Sequence, residues 1–288
     1  MLHQTNNGYT PNPSHHTPAW GDLLAGLVER RAHKPRLTGA TMILDRCQGL
    51  QATADLLEMT GDYIDHVKLS FGTSVLLDET FLCRKNELIR SHQCDVYPGG
   101  TLTEAMLMQG VYPRYLQRAK VLGFTAIEVS DGTITLPRPV RSDAIKRALD
   151  AGFKVISEVG KKDPKIEIPV AEMCEQIIAD LALGVDKVIV EARESGANVG
   201  IYDAHGAIRQ DKLTAMLDQL VGHEDDILWE APLTRQQSQL IVQFGPNVSL
   251  GNIKPRDVLG LEALRCGLRF ETFRQSIPQV AALEVVRD

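Results

Sequence analysis

The chain has 288 residues, of which 43% are hydrophobic and 24% charged, and its formal charge is −6. These proportions allow a sizeable core and exclude global disorder. No apolar run approaches the roughly 18 residues of a membrane span, and no charged-then-apolar leader opens the chain, so a cytoplasmic protein is expected. The acidic balance leaves no basic footprint for nucleic acid, so an anionic ligand must be met by a local cluster of cations.

Residues 1–18 carry Pro11, Pro13 and Pro18 among Asn, Thr and His, and read as a flexible tail ahead of one domain spanning 19–288. From Leu37 onward, short aliphatic or β-branched runs alternate with longer amphipathic segments. Strands are expected at 41–45, 66–71, 94–97, 126–130, 154–159, 187–192, 227–231 and 248–252. Helical spacing fills the intervals at about 49–60, 75–91, 103–122, 140–151, 169–183, 209–221, 233–244 and 255–266. Gly61, Gly123, Gly152 and Gly184 each close a helical pattern and are expected as left-handed caps. The segment after Gly267 reads as a C-terminal extension against the domain.

Strands that alternate with helices make a parallel sheet, because parallel strands need crossover connections. Eight such units, at roughly 29 residues each, are what a closed (β/α)8 TIM barrel needs. An open doubly wound sheet is the alternative, but the turn Asp45-Arg46-Cys47-Gln48-Gly49 lacks its glycine fingerprint. Cys47, Cys83, Cys94, Cys174 and Cys266 have no paired-ligand spacing and read as reduced thiols.

Chemistry in such a barrel sits at the carboxyl ends of the strands. Four successive strands place a glutamate near that end, namely Glu128, Glu158, Glu191 and Glu230. Carboxylates brought together in a confined site need nearby cations. The expected partners are Lys68, Lys161, Lys162 and Arg193, or a hard divalent ion held by oxygen. Mg2+ is the preferred ion, with the four glutamates as candidate ligands, because thiolate and imidazole are absent from these positions. Strand alternation leans toward Lys162 pointing with Glu158, and a lysine near other cations is expected to have a depressed pKa. Bare backbone at Gly99, Gly100, Gly196 and Gly251 suits anion capture, with Thr101, Ser195 and Asn252 beside it and Ser70 near Lys68.

The runs VYPGGTLTE (96–104), AIEVSDG (126–132), EVGKK (158–162), EARESG (191–196) and NVSLGNI (247–253) together resemble the phosphosulfolactate synthase family, as do residues 229–232 with Gln236 and Gln237. The resemblance covers about 37–275. It implies a Mg2+-dependent lyase that adds sulfite to phosphoenolpyruvate to give (2R)-phospho-3-sulfolactate, a step of coenzyme M biosynthesis in methanogens. It also implies that Lys162 is the general acid; Lys161, beside it at the end of the fifth strand, is a further catalytic candidate from its position. The chain departs from the archaeal pattern at Arg46, Thr103 and Glu271. Two other readings are a different nucleophile at the same site and a stress-associated role like that of plant relatives. A homo-oligomer is expected.

Overall fold

The computed structural model describes residues 19–20, 31–46 and 48–276, so the proposed tail and Cys47 lie outside the described residues. Eight strands run parallel: β1 Thr41–Asp45, β2 His66–Leu69, β3 Asp95–Tyr97, β4 Ala126–Ser130, β5 Lys154–Val159, β6 Lys187–Val190, β7 Ile227–Glu230 and β8 Ser249–Ile253. Their order is β3-β2-β1-β8-β7-β6-β5-β4, with β1 pairing to β8. The two ends of this order meet through Thr125, whose N–H donates to Val96 O at 3.0 Å while its hydroxyl accepts from Val96 N at 2.9 Å. A side chain thus completes the seam, and the sheet forms the (β/α)8 TIM barrel expected from the pattern.

The helices are α1 Leu50–Thr60, α2 Glu79–Ser91, α3 Gly100–Met108, α4 Tyr112–Val121, α5 Arg138–Asp150, α6 Val170–Ala182, α7 Gln210–Gln219, α8 Thr234–Phe244, α9 Val258–Arg265 and α10 Phe270–Ser276. The single helix expected at 103–122 is two, broken where Gly110 takes φ 68°. The helix expected from residue 75 starts later, because Asp78 caps it by accepting from Phe81 N. Residues 70–76 form tight turns through Phe71 at φ 57° and Gly72 at φ 66°, which ends β2 early. Gly61 is the one cap that differs. It stays right-handed at φ −55°, and its bare Cα leaves room for the His92 ring. The extension after Gly267 packs back through α10, where the Thr272 hydroxyl donates to Leu264 O.

Alternation along the strands splits the core. Ile127, Val129, Val155, Val188, Val190 and Trp229 face outward to helix residues such as Ile145, Ile177, Leu213 and Leu240. Met42, Tyr97, Ala126, Ile156, Ile189 and Leu228 form a separate apolar layer inside the barrel. Two residues further along their strands, Glu128, Glu158, Glu191 and Glu230 occupy the next layer toward the carboxyl ends. Cys94, Cys174 and Cys266 are buried free thiols and Cys83 is a half-buried one. Among the described residues no helix is long and apolar enough to cross a membrane.

Gly251 lets the inner layer close. A Cβ there would overlap Leu228 and sit 2.8 Å from Met42 Cε. Gly251→Ala is expected to destabilise the fold by about 1–3 kcal/mol through overpacking. Urea unfolding monitored by Trp229 fluorescence checks this.

Candidate active site

The mouth of the barrel is organised around Lys68. Its position in β2 points the ammonium across the barrel, where Nζ lies 2.9 Å from Glu128 Oε2, 3.0 Å from Glu158 Oε2 and 3.6 Å from Glu230 Oε1. Lys162 stands above, 3.4 Å from Glu158 Oε1 and 3.7 Å from Glu191 Oε2. The four carboxylates are at most 2% exposed, whereas the Lys162 side chain is 29% exposed. Lys162 is therefore the cation of this group that faces incoming ligand. Its ammonium also donates to Thr101 Oγ1 at 3.4 Å.

Backbone groups orient the remaining oxygens. Gly100 N–H, opening α3, donates to Glu128 Oε1 at 2.7 Å, and Ala192 N–H donates to Glu230 Oε2 at 2.9 Å. A side chain at Gly100 would collide with Glu128 Oε1 and Ser130 Oγ, so glycine is required for that approach. Arg193 N–H donates to Glu191 Oε1. Gly132 forms the floor under Lys162, with its Cα bare where a Cβ would lie 3.2 Å from Lys162 Cε.

The electrostatics follow from burial and sharing. Burial pushes Glu128 up to about 7 against the pull of Lys68. Burial, with Glu158 and Glu230 as like charges, raises Glu191 well above the carboxylate range, and burial also raises Glu230. Burial acts the same way on Glu158, but Lys68 and Lys162 outweigh it and hold that carboxyl well below its ordinary value. Lys162 is shifted upward, chiefly by Glu158. The depressed pKa expected from neighbouring cations is thus reversed, because its nearest charged neighbours are carboxylates. Lys162 is therefore held as an ammonium.

Other expected site residues are placed as follows. Lys161 turns away from the mouth and donates to Asp131 Oδ2 at 2.9 Å and Ile134 O at 2.8 Å. The buried Ser70 hydroxyl donates to Asp45 O at 2.9 Å, tying β2 to β1 rather than facing ligand. Gly99, at φ 77°, turns the chain into α3. Arg193 and Ser195 are exposed on the loop after β6, and among the described residues the Arg193 guanidinium has no ion-pair partner. Gly196 O accepts from Gln236 Nε2 at 2.7 Å. Gly251 lies in the packed interior, while Asn252 Nδ2 donates to Arg193 O at 3.3 Å. Arg46 reaches across the opening to Glu194 at 2.9 Å and covers the Phe71 ring.

Several buried partners escaped the sequence reading. Glu104 on α3 accepts from Ser130 Oγ at 2.8 Å and from the N–H groups of Thr133 and Ile134, pinning the loop after β4. Lys85 on α2 holds Asp45 at 2.5 Å, which withdraws Asp45 from the mouth. Arg141 on α5 grips Asp180 on α6. Each lies in a helix, where a lone charge reads as solvated surface; the E that closes the 96–104 run was the available signal for Glu104.

Among the described residues no three His, Cys, Asp or Glu side chains form a ready metal cage. The donor set nevertheless suits a hard cation. Four buried carboxylates against Lys68 and Lys162 leave two formal negative charges unbalanced. Glu158 Oε1 and Glu191 Oε2 are buried without hydrogen-bond partners. Mg2+ is satisfied by one or two carboxylates when it retains water.

Residues 29–271 match the (2R)-phospho-3-sulfolactate synthase (ComA) family. The phosphosulfolactate synthase of Methanothermobacter thermautotrophicus is 41% identical, covering 85% of this chain and 95% of that protein. That of Bacillus subtilis is 36% identical over 84% of this chain and 95% of its own length. Protein HEAT-STRESS-ASSOCIATED 32 of Arabidopsis thaliana is 24% identical, covering 82% and 89%. Among solved structures, KGPDC from Streptococcus mutans aligns with a TM-score of 0.50 at 9% identity, covering 83% of this chain and 97% of that one, a likeness of fold alone. With a family match across nearly the whole barrel and relatives of this identity, the chain belongs to the phosphosulfolactate synthase family of enzymes.

Proposed function

We propose that the protein is a lyase that catalyses addition of sulfite to phosphoenolpyruvate, forming a carbon–sulfur bond and (2R)-phospho-3-sulfolactate. The observation that carries this reading is the pairing of a partly exposed ammonium, Lys162, with a buried ring of carboxylates at the barrel mouth. Sulfite attack at the methylene carbon moves an electron pair toward the substrate carboxylate. The adjacent carbon then takes a proton from Lys162, and the phosphate ester is retained.

The chain supplies the remaining functions through its own groups. Arg193, exposed beside the mouth, can grip phosphate or sulfonate oxygens with two parallel hydrogen bonds. Lys162 and Thr101 face the same space. Glu158 and Glu191 would hold Mg2+, which when bound polarises the substrate carboxylate and stabilises charge developing there. Lys68, enclosed by three carboxylates, keeps the ring together and is not free to meet substrate.

In ³¹P NMR of the protein with phosphoenolpyruvate and Mg2+, a new phosphate-ester resonance is expected only when sulfite is present. Lys162→Ala should slow its appearance by ~10²–10⁴-fold. No resonance in the wild-type protein with sulfite would overturn the reading; a resonance with another nucleophile instead would keep the site and change the reaction.

The raised carboxyls also set a pH dependence. A group whose folded pKa lies above its unfolded value stabilises the protein below the unfolded pKa, and that contribution is lost as pH rises through the folded value. For Glu128 the window runs from its ordinary carboxylate value to about 7. Without divalent cations, melting should therefore move upward by about 2–4 °C between pH 8 and pH 6, and Glu128→Gln should flatten that change. Differential scanning calorimetry in chelator checks both.

Adding Mg2+ near neutral pH is expected to expel protons from the ring. Calorimetric titration in buffers of different ionisation enthalpy measures that release, and Glu191→Gln should reduce it.

A further inference from the structure

Behind the ring, a second buried cluster has no part in the chemistry above. Arg141, in the first turn of α5, is 1% exposed. Its guanidinium takes both oxygens of Asp180, with Nε at 3.1 and 3.0 Å and Nη2 at 2.5 Å. Nη1 reaches Asp131 Oδ1 at 3.2 Å, and Nη2 donates to the main-chain carbonyl of Glu158 at 3.0 Å. The other Asp131 oxygen holds Lys161, whose ammonium also donates to Ile134 O. One planar fork therefore ties the ends of β4 and β5 to α5 and α6.

Burying such a pair contributes little net stability, because desolvation offsets the attraction and an apolar cluster of the same shape serves as well. Its geometry does constrain the turn that follows β5. The ladder to β6 ends at Val159, and Gly160 follows at φ 117°, so no strand partner fixes the direction of the next two side chains. Lys161 and Lys162 are adjacent and chemically alike. What separates them is that Lys161 is bound to Asp131 and Ile134, while Lys162 N–H is bound to Gly132 O at 2.9 Å and its side chain points at Glu158. Asp131 is in turn held by Arg141, and so is the Glu158 carbonyl at the start of the turn.

We propose that Arg141, acting through Asp131 and the main chain of Glu158, is the positioning residue that directs Lys162 rather than Lys161 into the mouth of the barrel. The inference rests on the reading of Lys162 as the proton donor. Lysine cannot reproduce the fork, so Arg141→Lys retains the charge against Asp180 and loses the contacts to Asp131 or Glu158.

In Arg141→Lys, kcat is expected to fall by ~10²-fold, the scale set by a displacement of about 1 Å, with KM for phosphoenolpyruvate nearly unchanged. Guanidinium ion added to Arg141→Ala should restore part of kcat. Adding Asp131→Asn to Arg141→Lys should cause little further loss, because the two act along one connection. A second measurement works without turnover. Reductive ¹³C-methylation of lysines, read by NMR, should show Lys162 shifted toward an exposed-lysine signal in Arg141→Lys while the melting temperature stays close to wild type. A Lys162 signal unchanged by Arg141→Lys, or a kcat loss that Asp131→Asn multiplies, would overturn the proposal. If wild-type protein turns over nothing but the Lys162 signal still moves, the positioning holds and the assigned reaction fails.

Discussion

Four carboxylates cannot stay charged inside a barrel unless something neutralises them, and that constraint shapes the carboxyl-terminal end of this fold. Lys68 is spent on it entirely, held by three glutamates at once. Backbone N–H groups of Gly100 and Ala192 are recruited to the same task, which fixes where α3 begins and how the chain leaves β6. What the ring still lacks in positive charge becomes its capacity to accept a cation or protons. The apolar layer of Met42, Ile156, Ile189 and Leu228 beneath it closes off water from below, so neutralisation must come from the open side.

Much of this was legible in the sequence because it is local or periodic. Short aliphatic or β-branched runs marked the strands, and the matching positions of Glu128, Glu158, Glu191 and Glu230 near their carboxyl ends suggested a shared facing, which the ring bears out. Strand alternation leaned toward Lys162, and not Lys161, pointing with Glu158. Partnerships that helix residues make with other elements were not legible. Lys85 with Asp45, Arg141 with Asp180 and Glu104 with the loop after β4 each join elements that only the closed barrel brings together. The proton affinity of Lys162 departs from its expected value for a related reason. Sequence proximity put Lys161 beside it, whereas the fold turns Lys161 outward and supplies Glu158 and Glu191 instead.

The loops around the mouth carry backbone strain. Phe71, Arg193 and Asn252 are non-glycine residues with φ between 55° and 58°, one after each of β2 and β6 and one within β8. Such conformations persist only where surrounding contacts over-determine them. Here the contacts are visible: Asn252 donates to Arg193 O, Arg193 N–H donates to Glu191, and Phe71 lies against Arg46. The exposed side chains are therefore presented by tightly held backbone, which limits the entropy lost when they engage an anion.

Thr125 closes the circle of strands with its own hydroxyl where other neighbours use ladders. Sheets come apart where they are least bonded, and sub-global opening of this barrel would begin between β3 and β4. The segment freed on one side runs directly into Gly99 and Gly100; on the other it carries Glu128 itself. A breathing motion at this joint would loosen one carboxylate from its N–H donor and admit water to the interior, leaving the β5–β8 half of the ring intact. In the closed barrel the mouth is the approach to the ring; such an opening would expose its Glu128 side through the wall, a direction that the apolar layer beneath does not cover.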